Sequence, residues 1–254
     1  MYQIQTSLKW KMVIIILCFS TNILAQNNKK YYCILNAQQI ALEQGKWPTD
    51  SSVFWVLNKY KDSLNNRFEE ILVQSAVPLS KAQPESNLGN WITDAVKIQL
   101  GKRNKINACI INYGSIGLDY LPPGDIKRKD FYEFIPHENK IVLMQLNGKE
   151  IQQLCDSIAT IGGIPVSGIV FVIKDNRAQR IYINQQPINE HLIYTVAIND
   201  YLLLNKKFTA VWGNQRPKST HKNLRNILIE NALEMQQKGQ KINTELDNRI
   251  TYAE

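Results

Sequence analysis

The 254-residue chain is 44% hydrophobic and 20% charged, with a formal net charge of +8. It therefore has apolar sequence for one substantial core and excludes global disorder. Its basic residues are scattered (Lys127, Arg128 and Lys129; Lys206 and Lys207; Arg216 and Lys218) rather than gathered in a stripe with aromatics, which argues against nucleic-acid binding. Only three histidines are present, His137, His191 and His221, and no metal-binding spacing accompanies them.

In chain order, residues 1–25 read as a secretory signal peptide. Lys9 and Lys11 precede the apolar run Met12–Phe19, and Ile23-Leu24-Ala25 offers a small residue before Gln26. Ser20, Thr21 and Asn22 break the run, so a spanning helix fits less well, and no transmembrane span is expected in the mature form. Lipid attachment at Cys18 is a second reading, disfavoured by the bulky Leu17 before it. The protein is accordingly expected to be exported, periplasmic or extracellular. Cleavage removes two lysines and no acid, taking +8 to +6, and leaves three of the four cysteines, an odd number that argues against a full disulfide framework. Cys109 and Cys155 read as buried small hydrophobes.

Residues 26–50 are a lead-in segment, and 51–254 a single domain without internal repeat. From a cap at Ser51 or Ser52, the spacing of Val53, Val56, Leu57, Tyr60, Leu64, Phe68, Ile71 and Leu72 predicts one long amphipathic helix. Val73–Leu79 follows as a strand or extended connection. Glu85–Asp94 opens a second helix running to about Leu100 and capped by Ser86 or Asn87. Ala108–Ile111 is a buried strand stopped by Asn112-Tyr113-Gly114-Ser115, and ligands favour such strand ends. Asn147-Gly148 turns into a helix carrying Ile151, Leu154, Cys155 and Ile158. Gly168–Ile173, Arg180–Ile183 and Tyr194–Ile198 are three strands of a sheet, and Asn199–Leu202 brings polar and aromatic groups to the end of the last. A basic loop, the helix Leu224–Gln237 and an extended Leu246–Thr251 close the chain. The fold class is α+β, a central mixed sheet flanked by helices. Gly114-Ser115-Ile116-Gly117 lacks the spacing of a serine-hydrolase elbow, and no dinucleotide or Walker loop occurs.

Eight segments in order carry a resemblance: ESNLGNWITDA at 85–95, ACIINYGSIG at 108–117, PGDI at 123–126, IPHENKIV at 135–142, LNGKEI at 146–151, SGIVF at 167–171, YTVAINDYL at 194–202 and LDNRI at 246–250. Over roughly residues 50–250 the chain resembles the C-terminal domain of the 5'-nucleotidase and UDP-sugar hydrolase family. In that family an N-terminal metallophosphoesterase domain holds two metals and hydrolyses the substrate, while this domain binds the nucleoside and swings to deliver it. The resemblance implies substrate binding by Asn112 and Gly114, from the family's NGGGIR turn, and by His137 and Tyr201, at its two stacking aromatics. The two family arginines fall on Gly117 and near Ala82, and the GGDGY segment has become Leu204-Asn205-Lys206-Lys207-Phe208. Lys206, Lys207 and Arg216 are candidate phosphate contacts.

With no room for the first domain in this sequence, no catalytic residue and no cofactor are expected here. Divalent metals are expected only in a separate catalytic domain or subunit, a metallophosphoesterase that acts with this chain in nucleotide breakdown. The alternative is a non-catalytic binding protein with a degenerate nucleotide pocket.

Overall fold

The structure, a computed structural model, describes residues 53–57, 66–213 and 215–253. The signal peptide, the lead-in segment, the cap at Ser51 or Ser52 and residues 58–65 of the expected first helix lie outside the described residues. Residues 53–57 and 66–68 are helical. The first strand, β1 (Ile71–Ser75), then replaces what the spacing had assigned to that helix, so Ile71 and Leu72 are strand residues. Their pairing with Gly124–Lys127 supplies backbone partners that a local period cannot reveal. Val53–Leu57 is exposed along its whole length rather than on one face.

The chain continues through β2 (Leu79–Ser80), α1 (Asn87–Gly101), β3 (Ala108–Ile110), a 3₁₀ turn at Tyr113–Ser115, β4 (Tyr120–Leu121), β5 (Gly124–Lys127), α2 (Arg128–Phe134) and β6 (Lys140–Asn147). It goes on through α3 (Gly148–Ala159), β7 (Val166–Ser167), β8 (Ile169–Lys174), β9 (Arg177–Ile183), β10 (Gln186–Pro187), β11 (Ile193–Asn199), α4 (Tyr201–Leu204) and α5 (Thr209–Trp212). The last elements are β12 (Lys218–Asn223), α6 (Leu224–Gln237) and β13 (Ile250–Tyr252).

A five-stranded mixed sheet, in the order β12-β6-β11-β3-β7, forms the centre. Among the described residues, only β11 and β3 run parallel in it. Its inner strands β6, β11 and β3 are buried on both faces, whereas the edge strand β12 is largely exposed, and the strand period of two sorts the inner side chains between two cores. Cys109, Ile141, Leu143 and Ala197 join α1, α2 and α6 on one side, whereas Ile110, Val142, Met144, Val196 and Ile198 join α3 on the other. The three strands expected in one sheet are divided, because β8 and β9 belong to a second sheet, β10-β9-β8-β13, packed against α3. Period and composition identify a strand but do not choose its neighbours.

Local chemistry explains the helix ends. Ser86 Oγ accepts from Gly89 N–H at 3.1 Å and caps α1. Asn147 and Glu150 cap α3 reciprocally, by bonds of 3.0 and 2.8 Å. Cys109 and Cys155 are fully buried free thiols, and burial pushes both well above the ordinary thiol range, so they are inert packing groups.

Candidate functional site

The carboxyl ends of the parallel pair β3 and β11 and the start of β6 lie at one end of the central sheet. Asn112 follows β3 by two residues, Tyr201 follows β11 by two, and His137 and Asn139 shortly precede β6. Together with Gly114 these residues line one cavity of about 240 Å³. All four expected substrate contacts thus meet in one place. The cavity lies below the roughly 300–1,000 Å³ of pockets that enclose a drug-sized ligand, and suits one flat ring with the rest of a ligand in solvent.

The polar end of this cavity rests on a buried network. Asn199, fully buried, donates from Nδ2 to Asn112 Oδ1 at 2.6 Å and to Ser115 Oγ at 2.9 Å. Ser115 Oγ donates to Asn112 Oδ1 at 2.5 Å and accepts from Asn139 Nδ2 at 2.7 Å. With Asn112 Oδ1 accepting two hydrogen bonds, the amide orientation is fixed, and Nδ2 remains as a donor. Nδ2 lies over Gly114, where a Cβ would stand 2.9 Å from it, so the glycine keeps this donor clear.

The loop carrying His137 is held from behind by Arg225, a residue only 7% exposed. Its guanidinium donates to the carbonyls of Ile135 and Pro136 at 2.8 and 3.0 Å and lies 4.3 Å over the Tyr132 ring. Sequence reasoning missed Arg225, Asn139 and Asn199 as contributors. Asn139 and Asn199 sit inside the segments IPHENKIV and YTVAINDYL. Arg225 lies at the start of an ordinary amphipathic helix, and nothing in its neighbours marks it.

Lys206, Lys207 and Arg216 are exposed, and none of them lines the cavity. At Gly117, where the resemblance places an arginine, an added Cβ would meet the Glu133 carbonyl oxygen at 2.7 Å and the Pro136 ring at 2.9 Å. Near Ala82, the Tyr113 hydroxyl donates to the Ala82 carbonyl, and burial pushes that phenol up so that it stays a donor. Lys81 is engaged by Asp119 at 2.9 Å and by the Ile116 carbonyl at 3.1 Å. Closely packed backbone thus surrounds Gly117, whereas Ala82 is exposed and offers only its carbonyl to the Tyr113 hydroxyl.

The segments ESNLGN and LDNRI form a different cluster. Arg249 makes paired bonds of 2.9 and 2.7 Å to Asp94 and bonds of 2.7 and 3.2 Å to Asp247, and donates to the Val166 carbonyl at 2.8 Å. Burial alone would lower the pKa of Arg249, but Asp94 and then Asp247 hold it above its ordinary value. Glu85 accepts from Asn90 at 2.7 Å and from the backbone N–H groups of Asp247 and Arg249, each at 3.0 Å. This cluster ties the carboxyl-terminal strand to α1. Among the described residues, no group of three or more His, Cys, Asp or Glu is placed to hold a metal ion, and no helix is long and apolar enough to cross a membrane.

Comparison with known proteins agrees with this fold. The sequence matches the family of the 5'-nucleotidase C-terminal domain over residues 69–211. No curated protein matches it. Among solved structures, a 5'-nucleotidase precursor from Thermus thermophilus is similar at 21% identity and TM-score 0.66, over 81% of this chain and 44% of that one. The NAD nucleotidase of Haemophilus influenzae is similar at 17% identity and TM-score 0.62, over 81% and 42%. A sulfate thiohydrolase of Thermus thermophilus shares the fold at 14% identity and TM-score 0.58, over 82% and 39%. The chain thus spans less than half the length of these relatives, and at these identities the likeness is one of fold. The family match over more than half of the sequence is what decides membership: the chain belongs to the 5'-nucleotidase C-terminal domain family.

Proposed function

We propose that this protein is a substrate-recognition domain that holds the flat ring of a nucleoside or nucleotide in the cavity between His137 and Tyr201. It would serve nucleotide breakdown together with a metallophosphoesterase supplied by a separate chain. One observation carries the reading. Four residues implied by the resemblance, drawn from three segments distant in sequence, converge with Asn139 on a single cavity at the carboxyl ends of β3 and β11.

In this reading the two rings stack on the base and Asn112 Nδ2 donates to an acceptor on its edge. Stacking of a base on an aromatic ring is worth about 1–3 kcal/mol. Export to the periplasm or the exterior is part of the proposal and rests on the amino-terminal sequence. Divalent metals and the hydrolytic step belong to the partner. Purified alone, the protein should bind adenosine, AMP or UDP saturably and should not hydrolyse AMP with added divalent metal. Absence of binding to all three ligands removes the recognition role, and robust metal-dependent turnover removes the division of labour.

The second reading, a binding protein whose pocket no longer takes nucleotides, is favoured by the residues at the two arginine positions, a closely packed Gly117 and an exposed Ala82. Without arginines there, the bidentate clamp that suits phosphate and ribose oxygens is missing from those two positions.

A further inference from the structure

A second cavity, of about 390 Å³, lies away from the cavity at Asn112 and shares no residue with it. It opens between the carboxyl end of α1, the middle of α6 and the edge strand β12. The register of β12 shifts between Ser219 and Asn223, with His221 at a φ of 56°. Its walls carry four cations, Lys102, Arg103, Lys218 and Lys222, against two carboxylates, Glu230 and Glu234.

Pairing within the walls decides the charge left over. Lys102 bonds Glu234, and Lys222 bonds Glu230. Lys102 first, and Gln99 after it, hold the Glu234 carboxyl below its usual range, so it stays ionised and engaged. Among the described residues, Arg103 and Lys218 have no side-chain partner. The cavity therefore presents two uncommitted cations. Lys102 and Arg103 also complement the carbonyl end of α1, but Lys218 stands on a strand and has no such role.

One neutral group adds a donor. Gln99 is 7% exposed, and its Oε1 accepts from Lys102 Nζ at 2.8 Å, which fixes the amide. Its Nε2 is buried and turned to the Glu234 carboxylate, so it belongs to the wall and is not offered to the cavity. Ser219 Oγ accepts from the His221 N–H at 3.1 Å, which leaves its own hydroxyl proton to donate.

We infer that this cavity is a second binding site, for a phosphate-type dianion, formed by Arg103, Lys218 and Ser219. Two free cations balance the charge of a tetrahedral dianion, and the hydroxyl donates to one of its oxygens. The volume admits either inorganic phosphate or the phosphate of a small ester. The inference does not rest on the nucleoside reading, because no residue is shared.

The test is calorimetric titration of the purified full chain at low salt with inorganic phosphate and, separately, glycerol 3-phosphate. The wild type should bind at least one of them saturably. If free phosphate alone binds, the ligand is the ion, and tighter binding of the ester points to a phosphomonoester. Arg103→Gln combined with Lys218→Gln should weaken binding by about tenfold or more with an unchanged melting temperature. The charge-matched pair Lys127→Gln with Lys129→Gln, outside the cavity, should leave the affinity within about twofold of wild type. No saturable binding by the wild type, full affinity in the first double variant, or equal losses in both variants would each overturn the inference.

Discussion

Two polar clusters in this fold look alike in sequence and differ in what they leave unsatisfied. Around Arg249, charged groups meet and the guanidinium is occupied by Asp94, Asp247 and the Val166 carbonyl. Around Asn112, neutral groups meet, and the network stops short: Asn112 keeps a donor on a cavity whose rings, His137 and Tyr201, are exposed. The first arrangement locks α1 to the carboxyl-terminal strand. The second holds a binding surface in place without consuming it. Polar segments that both contribute to one family resemblance can thus have separate tasks, and their hydrogen bonds distinguish them.

Breaking the first cluster should cost the most stability. Arg249→Met leaves Asp94 and Asp247 without their main counter-charge and should lower unfolding free energy in urea by about 3 kcal/mol. This lies at the lower end for a broken buried pair because both carboxylates retain contact with water. Asn199→Ala, beneath the cavity, removes donors to Asn112 and Ser115 and should cost about 2 kcal/mol, together with a loss of ligand affinity in the same protein. Gly117→Ala should destabilise by about 1 kcal/mol, since its Cβ would press on the Glu133 carbonyl and the Pro136 ring. An unchanged or raised stability there would mean that the surroundings of an arginine position are open after all.

A smaller effect distinguishes the clusters by pH. Burial alone would raise the Asp247 carboxyl, but hydrogen bonding, foremost with Arg249, holds it below its ordinary value. A depressed carboxylate contributes its full stabilisation above the unfolded value of about 3.9 and loses it as pH falls through the lower folded value. Wild-type stability should therefore decline in acid from about pH 4 downward, and Arg249→Met should flatten that decline. Asn199→Ala should leave its shape unchanged. Least of all should stability respond to His137→Ala or Tyr201→Ala, each within about 0.5 kcal/mol in urea, because both rings are exposed.

Much of the fold was legible because the relevant signals are local. Ser86 and Asn147 marked helix starts, Leu224–Gln237 carried a helical period over its full length, and Ala108–Ile111 stood out as a short apolar run, of which Ala108–Ile110 is the strand. What escaped is set by partners distant in sequence. Ile71 and Leu72 matched a helical stripe until pairing with β5 made them a strand, and β8 and β9 left the sheet of β11 because α3 offered them a second core. The strand ends at Asn112 and at Asn199–Leu202 were legible from the residues themselves, and the stacking roles of His137 and Tyr201 only through resemblance. The supporting roles of Asn199 and Arg225 were not, because support from beneath a site has no spacing of its own.

The claim that the cavity at the end of β3 and β11 holds a flat nucleoside ring is tested most directly by titrating adenosine into the wild type and into the His137→Ala, Tyr201→Ala double variant. The account predicts saturable binding to the wild type and a loss of about tenfold or more in the double variant, whose urea stability stays within about 1 kcal/mol of wild type. Equal affinity of the two proteins for adenosine would contradict it.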